Sequence, residues 1–125
     1  DENKNFMKNY PQGEIVSYNL IDGLIEWRIP FGYENAKNLG TFNRGGLSLS
    51  KDGTLFATGT PDRKIYAFDS NNGKELWSFK MQLSGNAPPT IYEYNGSKYL
   101  SVIATGGYNF KFPDRGSILY TFKLK

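Results

Sequence analysis

The 125-residue sequence contains no cysteine and no histidine. Disulfides, thiolate zinc sites, nucleophilic thiols and imidazole acid–base catalysis are therefore excluded from this chain. It also lacks any run that approaches the roughly 20 apolar residues of a membrane-spanning helix. Any chemistry must rest on carboxylates, lysine, arginine, amides, tyrosine or a bound cofactor.

The chain also lacks a strong charge of either sign. Its formal net charge is +3, from 15 basic and 12 acidic residues, and the basic residues are scattered along the sequence. This distribution indicates a solvated surface and excludes the basic patch of a nucleic-acid-binding protein. The polar start at Asp1 has neither an initiator methionine nor a signal peptide, and we expect the chain to begin inside a longer protein.

Turn-forming and aromatic residues are abundant. The sequence has 14 glycines, 6 prolines and 16% aromatic residues. This composition is typical of short strands joined by many turns, so the sequence predicts an all-β fold.

Two segments of the sequence align without a gap, 13–27 and 63–77. Gly23 corresponds to Gly73 and Trp27 to Trp77, each pair fifty positions apart. A repeat of about 40–50 residues, each containing several short strands, is typical of β-propeller blades. We therefore predict a partial β-propeller with four-stranded antiparallel blades.

The strand pattern divides this single segment, 1–125, into blades. Residues from about 1 to 37 form a partial blade, 38–82 a complete blade, and 83–125 a last blade with three strands. The predicted strands are 15–20, 25–30, 46–50, 54–59, 64–69, 75–80, 89–94, 98–105 and 117–123.

Trp27 and Trp77 occur at the same position of an outer strand. A blade has no core of its own, so a large ring buried between successive blades would stabilise the repeat. We interpret both residues as structural, each wedged between its own blade and the next, in preference to ligand stacking.

Several motifs resemble the closing part of membrane-type quinoprotein glucose dehydrogenases and their relatives. The string AFDSNNGKELW at 67–77 is similar to the tryptophan-docking motif of quinoprotein propellers. The other matching motifs, in the family's order, are PQG at 11–13, GTFNRGG at 40–46, GNAPPTIY at 85–92, KYLSVIATGG at 98–107 and GSILYTF at 116–122.

The resemblance implies an eight-bladed propeller that holds pyrroloquinoline quinone (PQQ) and calcium near its axis. In that family a sugar or alcohol is oxidised by hydride transfer to the quinone, with a carboxylate as base, and a membrane quinone or a cytochrome accepts the electrons. The resemblance also implies a periplasmic location, with or without a membrane anchor upstream. We expect the catalytic base and calcium ligands upstream of Asp1, so this segment holds no catalytic or metal-binding residue. The isolated chain should bind PQQ weakly or not at all and should show no dehydrogenase activity.

The longer connections, which begin near residues 38, 59, 83 and 106, should share one face of the propeller, and this face is the predicted site. Asn43 and Arg44 precede the innermost strand of the complete blade, and Asn86 has the matching place in the next blade. An amide there can bind a quinone oxygen, and a guanidinium can pair with a cofactor carboxylate. These three residues are the cofactor-binding candidates; turn capping by Asn43 and solvation of Arg44 are the structural alternatives.

Two further groups lie in the connections of the same face. Asp62–Arg63 and Asp114–Arg115 occupy matching turns of successive blades, and each is expected to be a local ion pair rather than a catalytic dyad. Tyr108, Phe110 and Phe112 are expected either to stack on a bound sugar or to pack on a neighbouring domain.

A non-enzymatic propeller scaffold with PQQ-like repeats, which only binds other proteins, is the alternative function. The glycine- and asparagine-rich segments before the inner strands favour the enzyme, because a scaffold does not need them. The strand at 117–123 would have an unpaired edge, through which the isolated chain is expected to self-associate.

Overall fold

A computed structural model describes residues 11–34, 37–107 and 114–125. This described part of the chain contains only strands, turns and irregular segments, which confirms the all-β prediction. It contains no helix that is long and apolar enough to cross a membrane.

Eleven strands form four antiparallel sheets in the described residues. β1 and β2 form a hairpin, β3 and β4 a short ladder, and β5, β6, β7 and β8 a four-stranded sheet in sequence order. The last sheet has the order β11-β10-β9. The bounds are β1 Glu14–Tyr18, β2 Ile25–Pro30, β3 Tyr33–Glu34, β4 Lys37–Asn38, β5 Leu47–Leu49, β6 Thr54–Ala57, β7 Lys64–Asp69, β8 Glu75–Lys80, β9 Thr90–Tyr94, β10 Ser97–Gly106 and β11 Arg115–Leu124.

All nine predicted strands are confirmed, within the expected error at their ends. The sequence analysis missed β3 and β4, a ladder with two residues on each side. Strands this short have no room for the alternation of apolar and polar residues on which the prediction relied.

The repeat seen in the sequence is also a repeat in the backbone. The register between strands shifts at Ser17/Tyr18 in the first hairpin and at Ala67/Phe68, fifty positions later, in the four-stranded sheet. The connecting turns match as well, since the amides of Gly23 and Gly73 each donate to the carbonyl four residues earlier at 2.8 Å. Both glycines adopt a left-handed conformation, with φ of 74° and 73°.

The two central strands of the four-stranded sheet, β6 and β7, are buried on both faces, between the first hairpin and the last sheet. Alternating residues of β6 and β7 face opposite ways, so Leu55 and Tyr66 belong to one core while Phe56 and Ile65 belong to the other. The first core also contains Ile15, Phe31, Ala57 and Phe68, and the second Ala67, Met81, Leu100, Val102 and Ala104. Burial on two faces explains the nearly continuous apolar sequence of β6 and β7.

Trp27 joins the first hairpin to the four-stranded sheet. Its indole Nε1 donates a 3.0 Å hydrogen bond to the carbonyl of Ser70 in the β7–β8 turn. The ring lies so close to Gly73 that a Cβ added there would be 2.7 Å from Cε3 of the indole. The predicted docking of this tryptophan between neighbouring sheets is therefore confirmed.

Trp77 also packs against the next sheet, but less completely. Its ring meets that of Phe122 on β11 edge to face, with centroids 5.2 Å apart, and it stacks on Phe79. Trp77 remains 39% exposed. Within the described residues its indole nitrogen has no hydrogen-bond partner, so this contact contributes less than that of Trp27.

Gly23 and Gly73 allow a matched test of tryptophan docking in the 125-residue chain. Gly23→Ala should cost about 1 kcal/mol, because alanine is strained at positive φ but meets no atom within 4 Å. Gly73→Ala has the same strain and must also displace the Trp27 ring, so it should cost about 2–4 kcal/mol. Urea unfolding measures both; equal losses would contradict the docking.

Candidate functional site

The predicted site face brings the longer connections together. The amide of Arg44 donates to the carbonyl of Gly59 at 3.0 Å, and the hydroxyl of Thr58 donates to the carbonyl of Ala87 at 3.0 Å. These bonds join the segments that lead into β5 and β9 to the end of β6. The starts of the two innermost strands are therefore neighbours.

Asn43 and Arg44 lie shortly before β5, as predicted. Asn43 is half-buried and lines a pocket between the first hairpin and β5, together with Phe31 and Thr58. Its amide has no hydrogen-bond partner within the described residues. The exposed Arg44 guanidinium lies 5.6 Å from the centre of the Phe42 ring, a cation–π contact.

Two glycines hold this segment close to the neighbouring strands. A Cβ at Gly45 would lie 2.0 Å from the carbonyl oxygen of Thr58, and one at Gly46 would lie 2.4 Å from Cγ of Pro88. No side chain fits at either position, because the backbone of β5 packs directly on β6 and on the segment before β9. The Gly-Gly pair thus explains how Asn43 and Arg44 are fixed at the inner edge.

Asn86 has the place in the last sheet that Asn43 has in the four-stranded sheet, four residues before the innermost strand. Its Nδ2 donates a 2.7 Å hydrogen bond to the carbonyl of Gly106. Its Oδ1 is buried and has no partner within the described residues. The Nδ2 of Asn86 is therefore hydrogen-bonded within the fold, while its Oδ1 has no partner in the described residues.

Among the described residues of this face, Asp62 accepts the largest number of side-chain hydrogen bonds, which the sequence analysis did not foresee. Its carboxylate accepts from the Tyr33 amide at 3.1 Å, the Thr60 hydroxyl at 2.6 Å and the Lys64 amide at 3.1 Å. The Tyr66 hydroxyl donates a fourth, short hydrogen bond. Burial, and then this bond to Asp62, raise the pKa of Tyr66 far above its ordinary value. Asp62 thus ties the β6–β7 turn to β3.

The expectation of local Asp–Arg ion pairs was wrong. The Asp62 carboxylate is filled by its four donors, so Arg63 pairs instead with Asp114, with Nη2 and Oδ2 2.7 Å apart. No ion pair joins Asp114 to Arg115 in the part of the chain that the structure describes. The Arg63–Asp114 pair therefore joins the two turns to each other across the blades, and neither turn has an internal Asp–Arg pair in the described residues.

The remaining aromatic candidates, Tyr108, Phe110 and Phe112, lie outside the described residues. Residues 11–34, 37–107 and 114–125 contain no group of three or more acidic side chains arranged to hold a metal ion.

A family model described as the β-propeller domain of PQQ glucose, ethanol and alcohol dehydrogenases matches residues 2–100. The sequence is 31% identical over 112 residues to the glycerol dehydrogenase large subunit of Gluconobacter oxydans. That alignment covers 80% of this chain and 15% of the relative. The chain thus spans only a small part of the length of this protein.

Solved structures share the fold at lower sequence identity. The quinohemoprotein alcohol dehydrogenase of Comamonas testosteroni superposes with a TM-score of 0.68 at 18% identity, over 88% of this chain and 16% of that protein. BamB of Moraxella catarrhalis superposes with a TM-score of 0.50 at 17% identity, over 78% of this chain and 28% of that protein. At these identities the similarity shows a β-propeller fold and nothing about activity.

Tyr66 provides a pH test of the burial of its hydroxyl beside Asp62. Its pKa is raised in the folded state, so its contribution to stability is complete below about pH 10 and is lost as the pH rises further. Tyr66→Phe should flatten the alkaline decline in unfolding free energy measured between pH 9 and 11. Tyr94→Phe, at a residue that is 64% exposed, is the control and should leave the decline unchanged. An identical decline in the Tyr66 variant and wild type would contradict the burial of this hydroxyl beside Asp62.

Proposed function

The chain belongs to the β-propeller domain family of PQQ-dependent glucose, ethanol and alcohol dehydrogenases, and on this premise we propose that it is part of an enzyme that oxidises a sugar or an alcohol. The observation that carries the proposal is the family match over residues 2–100, which includes the first hairpin, the four-stranded sheet and the Asn43–Arg44 segment between them. Fold similarity alone would not be sufficient, because propellers serve many functions.

Within such an enzyme the chain is proposed to form a C-terminal sector of the propeller. The first hairpin would belong to a partial blade of residues about 1–37, the four-stranded sheet to the complete blade 38–82, and the last sheet to the three-stranded blade 83–125. The sector would supply one side of the cofactor pocket, with the catalytic base and calcium ligands contributed by other blades. This arrangement is consistent with the small share of its relatives that the chain covers.

Asn43, Arg44 and Asn86 are the proposed cofactor-binding residues of this sector. PQQ is a tricarboxylate whose ortho-quinone, when bound, takes up a hydride from the substrate. The amide of Asn43, which has no partner in the described residues, can donate to a quinone oxygen, and the exposed Arg44 guanidinium can pair with a carboxylate. The buried Oδ1 of Asn86, which has no partner in the described residues, is an acceptor for a donor such as the pyrrole N–H. The groups present therefore fit this cofactor.

The proposed electron acceptor and cellular location are those that the family resemblance implies. Electrons would pass from the reduced cofactor to a membrane quinone or a cytochrome, and the enzyme would work in the periplasm, with or without an upstream anchor. The chain by itself would neither enclose the cofactor nor turn over substrate. The outer edge of β11 has no partner strand in the described residues and would promote self-association of the isolated chain.

The alternative, a propeller that only binds proteins, has less support. BamB shares the fold, but at 17% identity it carries no argument about function. The glycines that bring Asn43 and Arg44 to the inner edge, together with the family match, favour the enzyme.

Dye-linked oxidation by the complete protein tests the proposed function. The complete protein, reconstituted with PQQ and calcium, should reduce a redox dye when supplied with glucose, glycerol or ethanol. The 125-residue chain, treated in the same way, should not, because it holds only a sector of the pocket. A complete protein that binds no PQQ and oxidises no sugar or alcohol would overturn the proposal in favour of the scaffold.

Asn43 offers a residue-level test in the complete protein. Asn43→Ala should weaken PQQ binding by about tenfold, since one hydrogen bond to a buried polar group is lost. Asn71→Ala, in an exposed turn on the opposite face, is the control and should leave the affinity unchanged. Calorimetric titration of the apoprotein measures both; equal affinities would remove Asn43 from the site.

A further inference from the structure

The sequence contains two Asn-Gly pairs, and both lie in turns of the described structure. Asn72–Gly73 belongs to the β7–β8 turn, and Asn95–Gly96 forms the two-residue turn between β9 and β10. In an Asn-Gly pair the backbone nitrogen of the glycine can attack the side-chain carbonyl carbon of the asparagine, because glycine has no side chain that obstructs the approach. The same reactive pair therefore occurs in two different environments.

The Asn72–Gly73 pair is restrained at each group that this reaction uses. The amide of Gly73 donates to the carbonyl of Asp69 at 2.8 Å. Nδ2 of Asn72 donates to the Asp69 carboxylate at 3.0 Å, and Oδ1 of Asn72 accepts from the amide of Lys74 at 2.8 Å. The Trp27 ring covers Gly73, which is buried. Attack at Asn72 would require these contacts to break together.

The Asn95–Gly96 pair is far less restrained. Both residues are exposed, and a Cβ added at Gly96 would meet no atom within 4 Å. Within the described residues, neither the Asn95 side chain nor the Gly96 amide has a hydrogen-bond partner. The turn continues directly into the strand ladder at Tyr94 and Ser97, and the end of a ladder opens at low cost. A local movement of the turn is therefore sufficient to bring the two reacting groups together.

We propose that Asn95 is a site of spontaneous deamidation and that the fold protects Asn72 from the same reaction. The Gly96 nitrogen forms a bond to Cγ of Asn95, the bond from Cγ to the side-chain nitrogen breaks, and ammonia leaves with the proton of the Gly96 amide. Water then opens the five-membered succinimide at either of its carbonyls, which gives aspartate or isoaspartate. The reaction is intramolecular and needs only water.

The products change the β9–β10 turn in two ways. Each replaces a neutral amide with a carboxylate two residues after Glu93, and so lowers the net charge of +3 by one unit. Isoaspartate also carries the main chain through the former side-chain carbon, so the turn no longer matches the register that pairs Tyr94 with Ser97. Because β9 is the innermost strand of the last sheet, we expect isoaspartate to loosen the inner edge of that sheet.

The test is to incubate the 125-residue chain at mildly alkaline pH and to measure deamidation at each asparagine by peptide mass spectrometry. In the folded chain Asn95 should react at least about tenfold faster than Asn72, since attack at Asn72 first requires the loss of its turn hydrogen bonds. In concentrated urea the two rates should become similar, because the protecting contacts are absent. Asn95→Gln should leave only the slow reaction at Asn72.

Asp69→Ala provides a matched test of the protection. The Asp69 carboxylate binds Nδ2 of Asn72 and the amide of Asn71. Its removal should accelerate deamidation at Asn72 by about fivefold, the effect of losing one hydrogen bond, and should leave the rate at Asn95 in the same molecule unchanged.

Two results would overturn the proposal. Equal rates at Asn95 and Asn72 in the folded chain would show that the fold does not separate the two pairs. A rate ratio that stays the same in urea would show that the difference comes from the neighbouring sequence and not from the contacts of the turn. The urea comparison needs no variant, so it decides the question even if Asp69→Ala does not fold.

Discussion

The structure depends above all on the docking of the Trp27 indole against the β7–β8 turn. The ring covers Gly73 and its N–H is bound to the carbonyl of Ser70, so one side chain fixes both the distance and the rotation between successive sheets. A four-stranded sheet cannot bury its own faces, and it becomes stable only between two neighbours. The two cores on either side of β6 and β7 are the result.

The same packing determines which side chains lie on the site face. Once the sheets are stacked, Gly46 lies against Pro88, and there is no room for a side chain between the innermost strands. Asn43 and Asn86 are therefore placed at the ends of these strands, where the polypeptide leaves the close contact. Asp62 and Arg63, in the connection between β6 and β7, join the outer parts of this face. Asp62 accepts hydrogen bonds from residues of β3 and β7, and Arg63 pairs with Asp114.

The sequence was sufficient to predict the features that recur in both copies of the repeat. Trp27 and Trp77, with the glycines four residues before each of them, mark equivalent turns, because in both copies a tryptophan ring packs on the neighbouring sheet. The Asp62 network could not be predicted in this way, because its donors include the amide of Tyr33, which is 29 residues away and has no marked sequence pattern. The Arg63–Asp114 pair joins residues 51 positions apart. The adjacent opposite charges of Asp62 and Arg63 suggested a local ion pair. Because the Asp62 carboxylate already accepts four hydrogen bonds, Arg63 pairs with Asp114 instead.

Proton chemical shifts of the two matched glycines test the central claim, tryptophan docking, most directly. Gly23 and Gly73 have nearly the same φ and the same turn hydrogen bond, so they differ mainly in the indole that covers one of them. In the labelled 125-residue chain, an α-proton of Gly73 should be shifted upfield by the Trp27 ring, with a nuclear Overhauser contact to it, while Gly23 should have ordinary shifts. Matching, unshifted α-protons at both glycines would contradict the account.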